Sequence, residues 1–296
     1  MTSLSRKDWL LLVLLTLCWG INWPIMKIGV QFFPPIAFRS LCMLGSIPIL
    51  WLAVRSQGIS LKIPRGDLGT IFKLTIPNVV MWNVCIIVGV KMLSSGRAAI
   101  LGYTMPIWAV LCGLIFFRDN ITRAGWCGIA LALSGALLLL SSEFVNIAGQ
   151  PLGSILALIA AASWGFGTVL MKRTRLGIAS IALTFWMILL GALCLAVISA
   201  LLEYDAWRMP DLRELLAIAY NAVLVFGFGQ VVWFSLARSL PPIASSLSVM
   251  LIPVLGVFSG MWVLQETPHW QDYAAMLLIL SAMSTVLLKP RSKVIT

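Results

Sequence analysis

Two stretches of this chain carry the residue types from which a binding surface is built, and they carry them in the same order. Cys18–Lys27 reads CWGINWPIMK and Ser163–Lys172 reads SWGFGTVLMK, with Trp, Gly, Met and Lys at the same four places. On a helix, residues i, i+3, i+4 and i+7 share a face. Trp19, Asn22, Trp23 and Met26 therefore line one side of the first stretch with Lys27 beside them, and Trp164, Gly167, Thr168, Met171 and Lys172 line the second. This is the chemistry of recognition: rings stack on apolar and cationic groups, an amide or hydroxyl exchanges hydrogen bonds, and a lysine at the helix end supplies a cation. The plainer alternative is tryptophan as packing and lysine reaching for head groups.

Other polar residues stand inside apolar runs. Asn78, Asn83 (preceded by Trp82) and Gln230 (preceded by Gly227 and Gly229) are amides that hydrocarbon turns inward, towards a solute or another helix. Gly229 and Gly227 suggest an open wall opposite the bulk of Trp82. Pro106 and Pro253 each remove a backbone hydrogen bond in mid-run, at the carbonyls of Gly102 and Val249, and are candidate hinges. Tyr103, Thr104, Ser245, Ser246 and Ser248 lie near them with hydroxyls. Lys27 and Lys172 are candidate gating cations at opposite mouths. Arg39 stands alone, either drawing a solute carboxylate or, the weightier reading, anchoring its helix at the head groups.

Catalysis is poorly provided for. The chain has one histidine, His269, with no H-E-x-x-H, phosphate-cradling loop or nucleophile elbow. Its six cysteines are isolated in apolar segments, so neither disulfides nor metal sites are expected. No cofactor is implied. All ten acids fall at segment ends or in loops. A proton-coupled carrier of cationic drugs usually needs a carboxylate in mid-span, so facilitated diffusion or exchange of a neutral or zwitterionic solute is expected instead.

What must position these residues is a set of membrane helices. Of 296 residues 60% are hydrophobic and 10% charged, with a mean hydropathy of +1.00; a spanning helix needs about 20 mainly apolar residues. Such segments fall at 9–29, 34–54, 69–90, 95–117, 123–142, 152–171, 178–202, 214–237, 243–264 and 270–288. The basic start MTSLSRKDW precedes the first run without an A-x-A-like cleavage site, so that run is expected to be retained. With both termini cytoplasmic, 15 of the 21 lysines and arginines lie on the cytoplasmic side, as positive-inside bias requires. The net charge of +11 then answers to topology and lipid, and nucleic acid is not called for.

The repeated phrase recurs at an offset of 145 residues, and Asn83 with Gln230, Pro106 with Pro253 and Asp119 with Glu266 align at 147. The fold predicted is all-α: ten transmembrane helices as two five-helix repeats, 1–146 and 147–296. Five is odd, so the second copy enters the membrane inverted. Gly128/Ala132 and Gly256/Gly260 are read as close helix packing.

With Trp19-Gly20 and Trp164-Gly165, and proline-centred fourth and ninth helices ending in Asp119 and Glu266, the whole chain resembles the drug/metabolite transporter superfamily, specifically its bacterial ten-helix EamA-type members. Asp119 departs from the glutamate usual there. The resemblance implies a carrier with its small-molecule cavity between the halves, exporting amino acids or other small metabolites. Aromatic-rich walls and amides suit amino acids, aromatic ones included, and an inner-membrane monomer working by alternating access is expected. The alternatives are a cation-coupled drug or metabolite efflux carrier and, further off, a channel or a membrane enzyme.

Overall fold

The computed structural model describes residues 6–64, 66–145, 151–236 and 242–287, with the side chains of 142–145, 234–236, 242–247 and 286–287 set aside. Ten helical stretches cover them. They are α1 (Arg6–Val30), α2 (Pro35–Ser56), α3 (Asp67–Met92), α4 (Ser95–Phe117), α5 (Arg123–Val145), α6 (Pro151–Arg173), α7 (Ser180–Leu202), α8 (212–236), α9 (Pro242–Leu264) and α10 (Trp270–Leu287). Eight of these are long and apolar enough to span a membrane, and Ser248–Leu264 adds a shorter apolar helix. Large apolar side chains such as Leu52, Leu137, Leu193 and Val197 stay exposed, as a lipid-facing surface requires.

The helix starts follow local chemistry. Pro35 opens α2 at a position where its missing N–H costs nothing. Asp211 and Glu214 form a reciprocal capping box at the start of α8, and Arg208 pairs with Glu214.

Packing repeats with the partners exchanged. α1 lies against α8 and α9, α6 lies against α3 and α4, and α2 pairs with α7 as α5 pairs with α10. An inverted duplication produces this pattern, because each helix meets the counterpart of its counterpart's neighbour.

Local details repeat too. α3 widens to a π-helical stretch at Ile76–Met81 and α8 at Asn221–Gly229. In α3 the stretch contains Pro77, which cannot donate to the preceding turn, whereas that of α8 has no proline; Ser163 Oγ on α6 donates to the carbonyl of Pro77 at 2.8 Å. α4 and α9 end alike, with Arg118 (φ 57°) and Gln265 (φ 56°) in the left-handed region. After each, the N–H of Asp119 or Glu266 returns to the carbonyl of Gly113 (3.1 Å) or Gly260 (3.3 Å), six residues back, and so closes the helix end. Both glycines make room for the folded-back acid: a Cβ on Gly113 would lie 2.7 Å from Asp119 Oδ2, and one on Gly260 2.5 Å from Glu266 Oε2.

The proline helices differ. α4 breaks at Tyr103–Thr104, so that Pro106 sits in the first turn of the segment Met105–Phe117, whereas α9 runs unbroken through Pro253. The small-residue faces pack as expected from their spacing. Gly128 faces Thr285 and Ala282 of α10, Gly256 faces Ala99 of α4, and Gly260 faces Ser95.

Candidate functional site

The aromatic residues singled out by sequence converge on one point of α4. A Cβ on Gly102 would lie 3.0 Å from Cη2 of Trp23 and 3.6 Å from Cη2 of Trp82. Trp23 meets the ring of Tyr103 edge-on at 6.2 Å, and Trp82 meets Trp164 edge-on at 5.1 Å. Trp23, Tyr103, Trp82 and Trp164 thus form a continuous wall across α1, α4, α3 and α6, joining the two repeats at the break in α4.

Trp19 is not in that wall. Its indole packs on Trp233 at 5.9 Å, and a Cβ on Gly229 would lie 2.4 Å from its Nε1. The open wall anticipated at Gly229 is therefore filled. Residue 229 is the counterpart of Trp82, and the space its side chain leaves is taken by Trp19 from α1.

The amides divide into two groups. Asn83 is committed: its Nδ2 donates to Val79 O (2.7 Å), and its Oδ1 accepts from Arg39 Nε (2.6 Å). Asn22 and Asn78 are 5% and 3% exposed, and each has a side-chain oxygen without a partner. Asn78 Nδ2 returns to Leu74 O at 2.9 Å, while its amide fills the gap beside Gly167 of α6. Trp19 Nε1 is likewise buried without a partner. With the Ser154 hydroxyl, four buried side-chain polar atoms are left unused among the described residues, and each such orphan costs about 1–3 kcal/mol. Thr168 and Gln230 are half-buried beside this region. Ser248 is buried and hydrogen-bonded to Thr16 of α1. Ser245 and Ser246 lie outside the described side chains.

The lysines differ from one another. Lys27 Nζ donates to the carbonyls of Lys91 (2.8 Å) and Leu93 (2.7 Å), closing the end of α3. Lys172 is exposed, and its neighbour Arg173 pairs with Asp119 at 2.5 Å over the ring of Phe117. Arg39 is no head-group anchor. It is 5% exposed in the second turn of α2, because the approach of α3 and α8 encloses it.

Sequence reasoning missed the acids' destinations. Glu266 accepts from Ser95 N (2.7 Å), Ser95 Oγ (2.8 Å) and Gly96 N (3.4 Å), and Ser94 Oγ accepts from Arg97 N (3.3 Å). The first three N–H groups of α4 are thereby satisfied. Glu203 does the same for α2, accepting from Ile36 N (3.0 Å) and Ala37 N (2.8 Å). Asp272 meets Arg97 Nε at 2.8 Å, both buried. By the parity of the crossings, these contacts all lie at the end of the bundle away from the chain termini. The Asp119–Arg173 pair, about half exposed, lies at the other end. Acids at helix ends were legible in the sequence; which helix each one would cap was not, because the partners stand 166 to 175 residues apart. Asn221, the second amide on Arg39, was missed because its aligned counterpart, Leu74, is apolar.

Known proteins place this geometry. The chain matches the EamA-like transporter family over residues 7–141 and again over 151–288. It is similar to the uncharacterized transporter YoaV of Bacillus subtilis, 28% identical over 257 residues, covering 86% of this chain and 88% of that protein. It is also similar to the uncharacterized inner membrane transporter YedA of Escherichia coli K12, 27% identical over 282 residues and covering 93% and 88% of the two chains. A probable amino-acid metabolite efflux pump of the same strain is 25% identical, covering 95% and 94%. A protein of known crystal structure superposes with a TM-score of 0.66 at 19% identity, over 97% of this chain and 99% of that one, which speaks to fold. With both halves matched, this multi-pass membrane protein belongs to the EamA-like transporter family.

Proposed function

We propose that the protein carries small neutral or zwitterionic metabolites, amino acids with aromatic side chains foremost, by alternating access between its two repeats as a uniporter or exchanger. The observation that carries this reading is the set of orphaned polar atoms. Trp19 Nε1, Asn22 Oδ1, Asn78 Oδ1 and Ser154 Oγ lack partners among the described residues, and of these Asn22 precedes Trp23 and Asn78 stands one helical turn before Trp82, two members of the aromatic wall. The oxygens accept from an ammonium group, the indole donates to an acceptor, and the rings stack on an apolar side chain. A solute with both polar ends and an apolar body satisfies what the bundle leaves open.

The described acids support uncoupled movement. Glu203, Glu266, Glu214 and Asp272 are occupied in caps or ion pairs at helix ends. The Glu266 contact with Ser95 joins α9 to α4 and serves as the gate at one end, with Pro106 and the break in α4 giving the chain a place to bend. The name of the Escherichia coli relative favours efflux as the cellular direction.

The test is counterflow in liposomes. Purified protein should show saturable uptake of labelled phenylalanine or tryptophan, stimulated by the same amino acid on the far side. Failure across a broad amino-acid panel refutes the substrate class, and conductance without saturation refutes the carrier.

A further inference from the structure

We propose that Arg39 is the subsite for the carboxylate of the transported solute, an assignment that deepens the functional reading above and rests on it. Arg39 is 5% exposed. Its Nε donates to Asn83 Oδ1 at 2.6 Å, its Nη1 donates to Asn221 Oδ1 at 3.0 Å, and its guanidinium lies 4.9 Å over the ring of Phe226. Arg97, Arg173 and Arg208 each meet a carboxylate. Arg39 meets none among the described residues.

The choice of partners is informative. An unneutralised guanidinium is among the costliest groups to bury within a membrane, and a carboxylate would be the obvious counter-ion for a purely structural arginine. Two amides hold its position and solvate it while leaving its charge in place. The bonds engage two of the five N–H groups of a guanidinium. The three left over, one on Nη1 and two on Nη2, are donors suited to a carboxylate.

Its two partners stand next in sequence to residues that pack at the site. Asn83 follows Trp82, whose ring packs on Trp164. Asn221 follows Tyr220, whose hydroxyl donates to Cys18 O at 2.8 Å, next to Trp19. The cation is therefore fastened to α3 of the first repeat and α8 of the second. On α8 the fastening is the first residue of the wide π turn, and on α3 it lies two residues past the end of the corresponding turn.

The test compares phenylalanine with phenylalaninamide, which keeps the ring and ammonium but replaces the carboxylate. As competitors of labelled phenylalanine exchange in liposomes, the acid should act at tenfold or more lower concentration than the amide on the wild type. Arg39→Gln should bring the two within about twofold. Asn83→Asp retains the arginine and supplies an internal carboxylate at the loss of the Nδ2 bond to Val79 O; it should erase the preference equally, with folded yield measured alongside. Thermal protection in detergent adds a readout independent of transport, with phenylalanine raising the melting temperature of the wild type and not of Asn83→Asp. Equal competition by acid and amide on the wild type, or a preference that survives both substitutions, overturns the assignment while leaving the functional reading intact. Protection abolished by Asn83→Asp in a protein that moves no amino acid would uphold the subsite and refute the functional reading.

Discussion

Glutamate 266 gives the sharpest quantitative test of how the two repeats are held together. It is 171 residues from Ser95, yet it accepts the first N–H of α4 at 2.7 Å, the Ser95 hydroxyl at 2.8 Å and the Gly96 N–H at 3.4 Å. Glu266→Gln keeps the size and one acceptor oxygen but removes the charge, and it turns an NH2 towards Gly96 N–H. A hydrogen bond to a charged group contributes about 1.5–3 kcal/mol against about 0.5–1.5 for a neutral one. An anion at a helix start adds about 0.3–1 kcal/mol. The substitution should therefore cost about 1.5–2 kcal/mol, which at about 1.4 kcal/mol per tenfold is roughly 10–30-fold more frequent opening. Hydrogen exchange read by mass spectrometry on the intact protein follows this directly, through a peptide covering residues 93–98. Exchange at Ser95 and Gly96 should quicken by that factor, while residues 35–40, capped by Glu203, keep their rate. Exchange at 93–98 changed by less than about twofold would mean that another group holds the start of α4, and the gate assigned to Glu266 would fall with it.

Four further outcomes are expected. Trp164→Ala, which removes the edge-on contact with Trp82, should cut transport at least tenfold with folded yield preserved; unchanged flux would return Trp164 to packing. Gly229→Ala places a methyl 2.4 Å from Trp19 Nε1. The indole must then retreat by about 1 Å at a cost of about 1–3 kcal/mol, and solute affinity should fall; a melting curve and KM at wild-type values would refute that wedge. Arg97→Ala strands the buried carboxylate of Asp272 and should destabilise by about 3–5 kcal/mol, whereas Arg173→Ala, losing a half-exposed pair, should cost under about 1 kcal/mol; denaturation in detergent distinguishes the two. An imposed proton gradient should leave the uptake rate in liposomes unchanged, and strict dependence on it would identify a carboxylate with a freer role than the caps described.

The order and span of the helices were legible from apolar runs alone, because lipid demands continuous helices and leaves little latitude. The duplication was legible where side chains are large or unusual, at Trp-Gly, proline and the terminal acids. Its consequences in space were not. The equivalence of Trp82 and Gly229 suggested a bulky wall and an open one, but only three-dimensional packing shows Trp19 moving into the vacancy. Arg39 looked like a head-group anchor because it stands near a helix start. Its enclosure depends on Asn83 and Asn221, which arrive from helices 44 and 182 residues further along. Likewise, Pro106 and Pro253 are indistinguishable in sequence, yet α4 breaks and α9 does not, since a proline's effect is decided by what its neighbours can bond to.

The long-range caps have a consequence for how the chain matures. When α2 and α4 leave the ribosome, the acids that satisfy their first N–H groups have not been made: Glu203 follows Ala37 by 166 residues, and Glu266 follows Ser95 by 171. The early half must therefore wait in the bilayer with two helix starts open to water or head groups. Its final packing is postponed until the late half inserts and delivers the missing carboxylates. The descendants of the duplication have become obligate companions. The first five helices made alone should insert but stay loosely packed, and supplying the other five as a separate chain should complete them.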